Sequence, residues 1–127
     1  MQAVNLIEVQ TVVIRITVTD LQKSVTWYEE KLGCKIVEHF EKFVGLEIPG
    51  ISNIKIGLKG VDPEKAKGSG GEVTTFIVKD IQETHRQLRE HGVPVQDIDL
   101  QPEGVQLAFF EDLDKNRFVL RQDPIIC

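Results

Sequence analysis

Two stretches decide the fold, because Val13-Ile-Arg-Ile-Thr-Val-Thr-Asp-Leu-Gln22 and Val73-Thr-Thr-Phe-Ile-Val-Lys-Asp-Ile-Gln82 match in pattern at an offset of 60 residues. In each stretch an alternating apolar run, typical of a half-buried strand, leads into an Asp, a residue that favours helix N-caps. The helical pattern that follows stops at Gly33 in the first copy and at Gly92 in the second. Glycine commonly ends helices. The sequence therefore predicts a duplicated unit that begins with a strand, a cap and a helix.

The helical patterns set the bounds of one helix in each copy. The first helix is predicted from Leu21 to Leu32, with Asp20 as its N-cap. The second is predicted from Ile81 to His91, where Asp80 and Glu83 form a D-x-x-E variant of the capping box. Each helix presents one apolar stripe, so both are expected to pack against sheets.

Short alternating runs after each helix complete the units and predict strands. The predicted strands are Lys35–Val37, Phe43–Ile48 and Asn53–Leu58 in the first copy, and Val95–Ile98, Gln106–Phe110 and Arg117–Gln122 in the second. Each copy thus has the order β-α-β-β-β. We expect a single domain over residues 1–127, with modules at 10–59 and 72–123 and a glycine-rich linker at 60–71.

Composition narrows the class of protein. The chain has 127 residues, with 15 Lys and Arg against 20 Asp and Glu and a net charge of −5, which argues against sequence-independent nucleic-acid binding. No stretch approaches the roughly 20 apolar residues of a membrane helix, and the start lacks a signal-peptide pattern. The only cysteines, Cys34 and Cys127, form no metal-binding spacing, and Cys34 is expected to be a buried thiol. We therefore expect a cytoplasmic protein without nucleic-acid or membrane partners.

Two segments carry a resemblance to a known family. They are Ile16-Thr-Val-Thr-Asp-Leu-Gln-Lys-Ser-Val-Thr-Trp-Tyr28, followed by Leu32-Gly33, and Phe110-Glu-Asp-Leu-Asp-Lys-Asn116. With the duplication, they resemble the vicinal oxygen chelate superfamily, which includes glyoxalase I, bleomycin-resistance proteins and extradiol dioxygenases. The second segment is similar to the family's Asp-Pro-Asp-Gly-Asn turn, with Leu113 in place of proline and Lys115 in place of glycine. The resemblance implies an α+β fold, in which two tandem modules form a curved mixed sheet around a cup that holds a small molecule, usually in a homodimer.

The resemblance also implies where the family's metal ligands would stand. The position seven residues before each capping Asp is Val13 in one module and Val73 in the other, and the position three residues after Asn116 is Val119. The fourth position falls near Lys55. Valine has no lone pair to donate, and lysine would first have to lose its proton. We therefore expect no metal and no cofactor, and the family's metal chemistry is not inherited.

The same alignment sends alternate side chains of the strands into the cup and the bulky apolar ones, such as Ile16 and Phe76, toward the helices. Side chains that it places as ligand-binding candidates are Arg15, Thr17, Lys55, Thr75, Arg117 and Arg121, and Gln106, whose direction the alignment leaves open, is a further hydrogen-bonding candidate. Four of these are cationic, so the cup favours an anionic ligand, and Arg15 is the first candidate for a carboxylate or phosphate clamp. The alternative is that these cations are solvated or paired with Glu47, Glu72 and Glu111.

Three hypotheses for function follow. The first is a metal-independent protein that binds or sequesters an organic anion, similar in logic to the bleomycin-resistance members. The second is a metal-dependent lyase, isomerase or dioxygenase with ligands displaced to Glu47, Glu72 or Glu111. The third is a fold kept for interaction with another protein, with the cup filled by its own side chains. The sequence leaves the identity of the ligand, any catalysis and the dimer arrangement open.

Overall fold

The chain folds into two β-α-β-β-β modules, in agreement with the predicted α+β class and duplication. The computed structural model describes residues 6–65 and 73–124. The first module consists of β1 (Val12–Val18), α1 (Leu21–Leu32), β2 (Lys35–His39), β3 (Phe43–Ile48) and β4 (Ile51–Gly60). The second consists of β5 (Val73–Ile77), α2 (Ile81–Glu90), β6 (Asp99–Leu100), β7 (Gln106–Glu111) and β8 (Arg117–Gln122). The second half of the expected linker, residues 66–71, lies outside the described residues.

The strands form two four-stranded mixed sheets with the same topology. Their orders are β1-β4-β3-β2 and β5-β8-β7-β6. In each sheet the first strand pairs in parallel with the last strand of its module, and the other pairings are antiparallel. A parallel partner requires a long crossover, and the helix with its two following strands supplies it. None of the helices in the described part of the chain is long and apolar enough to cross a bilayer.

The helix ends are built as the sequence indicates, with two exceptions, both in α2. The Asp20 carboxylate accepts a hydrogen bond from the Lys23 amide at 3.1 Å, and Gly33 ends α1 with a φ of 73°. Asp80 accepts from the Glu83 amide at 3.1 Å. The Glu83 carboxylate, however, binds Arg86 rather than turning back to the cap, so the expected box keeps only its Asp half. Helix α2 ends one residue earlier than predicted, at Glu90.

The strand predicted at Val95–Ile98 is wrong, since this segment is irregular and the pairing strand β6 follows it at Asp99–Leu100. Pro94 has no amide hydrogen to contribute to a ladder. The Val95 amide donates to the carbonyl of Val93 at 2.8 Å, so this donor is satisfied within the segment. Both valines are buried. The apolar pattern therefore indicates burial here, and the segment makes a backbone hydrogen bond to β7, from the Gln96 amide to the Phe109 carbonyl at 2.8 Å, without forming a regular strand.

One hydrophobic core runs through both modules, and Phe118 lies within it. The ring of Phe118 stacks on those of Phe76 and Phe110, with centroids 5.6 and 5.1 Å apart. The edge of the Tyr28 ring from α1 approaches Phe118 at 6.2 Å. Tyr28 and Phe118 are fully buried. The two modules therefore share a single core.

The turn between β7 and β8 joins the modules by hydrogen bonds. Asp112 accepts from the Tyr28 hydroxyl at 2.5 Å, and the Asn116 side chain donates to the carbonyl of Thr17 at 3.0 Å. Burial and the nearby Asp112 carboxylate raise the pKa of Tyr28 well above its usual range, so the hydroxyl stays protonated. Lys115, at the position of the family's glycine, adopts a φ of 64°. The turn thus keeps its conformation without the glycine that favours it.

Candidate functional site

The candidate site consists of the faces of the two sheets that point away from the helices, which we call the outer faces. Ile16 and Val18 of β1 are buried on the helix side, whereas Val13 on the other side is 47% exposed. The second sheet repeats this arrangement, with Val73 and Ile77 at 43% and 64% exposed. Alternation along the strands therefore sends side chains to the two sides in the predicted register.

The four positions expected for metal ligands lie on these faces. Val13 stands opposite Lys55 in the β1–β4 pair. In the second sheet, Val73 stands opposite Arg117, and Val119 stands opposite Thr75, two residues further along. Among residues 6–65 and 73–124, no group of three or more His, Cys, Asp or Glu side chains is placed to hold a metal ion. The donor set at these positions does not fit a metal, because three of the four side chains are aliphatic.

Two of the predicted cations are engaged within the chain. The half-buried Lys55 ammonium forms an ion pair with Glu38 of β2. The Arg121 Nε lies 2.6 Å from the Asp123 carboxylate. For these two side chains the structure favours the alternative of acidic partners, but with Glu38 and Asp123 instead of the glutamates named from the sequence. Glu38 was missed because only the bulge in β2 brings it beside the neighbouring strands.

Arg117 and Gln106 have different surroundings. The Arg117 guanidinium lies over the ring of Phe109, 5.7 Å from its centroid, and the residue stands opposite Glu111. Gln106 is half-buried at the start of β7. It shares the alternation of Ala108, whose side chain is in the core, so it lies on the helix side of the sheet. The structure therefore does not bring Gln106 together with the outer-face candidates.

Of the two predicted cations on the first outer face, Arg15 and Lys55, only Arg15 has no ion-pair partner among the described residues. Its side chain is exposed and has no hydrogen-bond or ion-pair partner among the described residues. Its neighbour across the strands is Gly57. A Cβ atom at Gly57 would lie 2.6 Å from the Phe43 ring and 2.9 Å from the Val13 side chain, so both cover the glycine. The guanidinium therefore borders an apolar surface that the sequence reasoning did not identify.

The two threonines of the predicted set lie on different sheets. Thr17 is half-buried on the first outer face, and its carbonyl already accepts from Asn116. Thr75 is exposed on the second. Of the candidates for displaced metal ligands, Glu47 stands opposite Lys55 and Glu111 opposite Arg117, on separate sheets, and Glu72 lies outside the described residues. Glu47 and Glu111 thus each lie next to a cationic side chain.

A concave feature that the sequence did not indicate lies between the modules. This apolar groove has a volume of about 480 Å³. Its walls include Ile14, Ile54 and Cys34 from the first module and Phe76 and Leu88 from the second. Cys34 is a free, buried thiol, and burial together with the Glu29 carboxylate raises its pKa to about 11. Cys34 was predicted to be a buried thiol, but its position in a groove wall depends on how the modules pack.

Comparison with known proteins places this geometry in context. Residues 10–120 match the family model described as Glyoxalase/Bleomycin resistance protein/Dioxygenase superfamily. No curated protein sequence matches the chain.

Solved structures share the fold at low sequence identity. A member of the same superfamily from Sphaerobacter thermophilus has a TM-score of 0.72 at 24% identity, covering 89% of this chain and 96% of its own. TnmS3, an antibiotic binding protein from Streptomyces sp. CB03234, has a TM-score of 0.72 at 22% identity, covering 98% and 100%. A bleomycin resistance determinant encoded on the transposon Tn5 has a TM-score of 0.71 at 19% identity, covering 91% and 98%. At these identities the similarity shows the fold alone.

Proposed function

This chain belongs to the glyoxalase/bleomycin resistance protein/dioxygenase superfamily, and we propose that it is a metal-independent binding protein for an organic anion with an apolar body. The observation that carries the proposal is Arg15, an exposed guanidinium without an acidic partner among the described residues. A guanidinium binds carboxylates and phosphates through two parallel hydrogen bonds. The anionic group of the ligand is assigned to this side chain.

The apolar part of the ligand is assigned to the surface beside Arg15. Val13 is 47% exposed, and Phe43 lies over Gly57, so a flat apolar group has aliphatic and aromatic carbon to contact. Burial of such surface contributes about 25 cal/mol per Å², which makes it the main source of affinity for an amphipathic ligand. Two of the similar structures, a bleomycin resistance determinant and an antibiotic binding protein, support binding rather than turnover as the role.

Metal independence rests on the chemistry of the side chains. Val13, Val73 and Val119 offer no lone pair, and the Lys55 side chain is engaged in an ion pair with the Glu38 carboxylate. A lyase, isomerase or dioxygenase of this superfamily with displaced ligands would need other donors. Glu47 and Glu111 stand on separate sheets beside cations, which does not favour that alternative.

Assembly and location are proposed on the same basis. The outer faces expose Val13, Val73 and Ile77, and a homodimer in which two copies form one cleft would cover this apolar surface. The free thiol of Cys34 suits a reducing compartment, so we place the protein in the cytoplasm.

The test measures metal content and anion affinity on the full chain. After dialysis against zinc, nickel and manganese, mass spectrometry is expected to find far less than one metal ion per chain. A panel of aromatic and aliphatic carboxylates is then screened by thermal shift, and hits are titrated by calorimetry. Arg15→Ala is expected to weaken a hit by about tenfold to a hundredfold, because a hydrogen bond to a charged group contributes roughly 1.5–3 kcal/mol.

Arg86→Ala is the matched control, since it removes the same charge from α2, where Arg86 pairs with Glu83 and Glu90. It is expected to leave the affinity within about twofold, because exposed ion pairs contribute little. Equal losses in both variants, or equal affinity for the neutral amide of the same ligand, would rule out Arg15 as the clamp. Stoichiometric metal would overturn metal independence and restore the metal-dependent lyase or isomerase.

A further inference from the structure

The apolar groove lies between the modules, and its walls combine Thr75 and Ile77 of the second outer face with residues of the helix side. Ile14, Phe76 and Leu88 in its walls are partly buried residues that pack against the core. Arg15 and its neighbours Val13, Gly57 and Phe43 are not among the walls, so a molecule in the groove would not lie on the Arg15 surface. The groove is therefore a separate cavity and needs its own explanation.

The chemistry of the groove walls is uniform. None of the described residues that line the groove is charged, and most are isoleucine, leucine, valine or phenylalanine. Of the polar residues, Thr84 already donates its hydroxyl to the carbonyl of Asp80 at 3.1 Å. The raised pKa of the Cys34 thiol, caused first by burial, indicates a poorly solvated wall. A charged group would lose its hydration here and gain no partner, which excludes ions as occupants.

The size of the groove is that of a ligand site. Small-molecule pockets measure roughly 300–1,000 Å³, and the groove holds about 480 Å³. A dry apolar cavity of about 150 Å³ accommodates one benzene molecule. The groove therefore has room for about three such volumes, which corresponds to a fused or linked aromatic system or a medium-length hydrocarbon chain.

We propose that the groove between the modules is a second binding site, which takes an uncharged apolar small molecule. The lack of charged lining residues and the volume select this occupant. A second copy of the chain or a peptide segment would bring backbone amides and carbonyls, for which the walls offer almost no hydrogen-bond partners. The site goes beyond the anion-binding function and does not depend on it.

The experiment uses N-phenyl-1-naphthylamine, an uncharged fluorophore whose emission rises in apolar surroundings. Titration of the full chain is expected to give saturable binding of one probe molecule per chain. Ile54→Glu places a carboxylate in the groove and is expected to weaken binding at least about tenfold. Its matched control is Ile36→Glu, which makes the same change at a 40% exposed position of β2 outside the groove.

A second pair of variants keeps the test decisive if Ile54→Glu fails to fold. Thr84→Trp fills the groove from α2, and Gln87→Trp adds the same indole at an exposed position of that helix. Loss of binding in Thr84→Trp with retention in Gln87→Trp supports the proposal. Absence of saturable binding, or equal binding in all folded variants, overturns it.

Sedimentation analysis distinguishes the other occupant. If Thr84→Trp or Ile54→Glu converts a dimer into monomers and the wild-type dimer excludes the probe, the groove is covered by a second copy and the proposal is wrong. An unchanged oligomeric state together with probe binding to the wild type supports it. Because the probe has no charge, its result is independent of whether carboxylates bind at Arg15.

Discussion

Replacing Tyr28 with phenylalanine tests whether the hydrogen bond between the modules stabilises the fold. The substitution removes only the hydroxyl, which donates to the Asp112 carboxylate at 2.5 Å inside the protein. The ring contact with Phe118, at 6.2 Å between centroids, is retained. The change therefore isolates one bond between α1 and the β7–β8 turn.

The expected magnitude follows from what remains around Asp112. Its carboxylate still accepts from the Asn116 amide at 2.8 Å, from the Asn116 side chain at 2.9 Å and from the Asp114 amide at 2.9 Å. The charge is thus not left without partners, and the loss is that of one hydrogen bond to a charged group, about 1.5–3 kcal/mol. Tyr28 is fully buried, so bulk water does not reach the site. Since 1 kcal/mol shifts the Tm of a chain this size by roughly 3–5 °C, we expect a decrease of about 5–15 °C.

The assay is urea unfolding monitored by circular dichroism, and the free energy of unfolding is calculated with one m-value for all variants. Thr19→Ala is the control, because it removes another side-chain hydrogen bond between the modules, from Thr19 Oγ1 to Asp114 at 2.7 Å, at an exposed position. Its expected cost is below about 1 kcal/mol, since water replaces the lost partner. A Tyr28→Phe variant as stable as wild type would refute the conclusion that the buried bond holds the modules together.

Three further predictions concern single positions. Lys115→Gly is expected to raise the free energy of unfolding by about 0.5–1 kcal/mol, measured by urea unfolding, because a side chain at a φ of 64° is strained and glycine is not; a loss of stability would contradict this. Gly57→Ala is expected to cost about 1–3 kcal/mol in the same assay, since its Cβ would lie 2.6 Å from the Phe43 ring. Phe43→Leu in the same chain is expected to recover part of that loss, and an additive double variant would refute the clash. Burial raises the pKa of the Cys34 thiol from 9.0 to about 11, so the unfolded chain releases this proton at a lower pH than the folded chain does. The stabilisation that the protonated thiol contributes is therefore present below pH 9 and is lost as the pH rises to 11. Wild type is expected to lose about 2 kcal/mol more than Cys34→Ala over that window, and parallel pH curves would contradict the assignment.

Local patterns were sufficient for the helices and most strands. The bounds of α1 were predicted at both ends, because an Asp cap and a glycine in the left-handed region act within one turn of the helix. The bounds of β3 and β8 were also predicted, because their alternation runs without interruption. The segment Val95–Ile98 was not, because buried valines beside a proline give the same apolar pattern as a strand.

The ion-pair partners of the predicted cations could be identified only from the tertiary structure. Lys55 and Glu38 lie on strands that are not adjacent in sequence, and the bulge in β2 sets which side chain reaches the lysine. A shift of one residue would have turned Glu38 away. Alternation does indicate that Gln106 shares the helix side with Ala108, but the pairing of β7 with β8 was needed to settle that register.

By itself the sequence determined the duplicated α+β fold, the helix caps and the absence of lone-pair donors at Val13, Val73 and Val119, because these depend on residue type and spacing along the chain. Only the tertiary structure decided which of the predicted cations have acidic partners and that an apolar groove lies between the modules. The physical reason is that ion pairs act over a few ångströms in space. A groove forms only where two surfaces fail to close on each other, and that depends on how the modules pack.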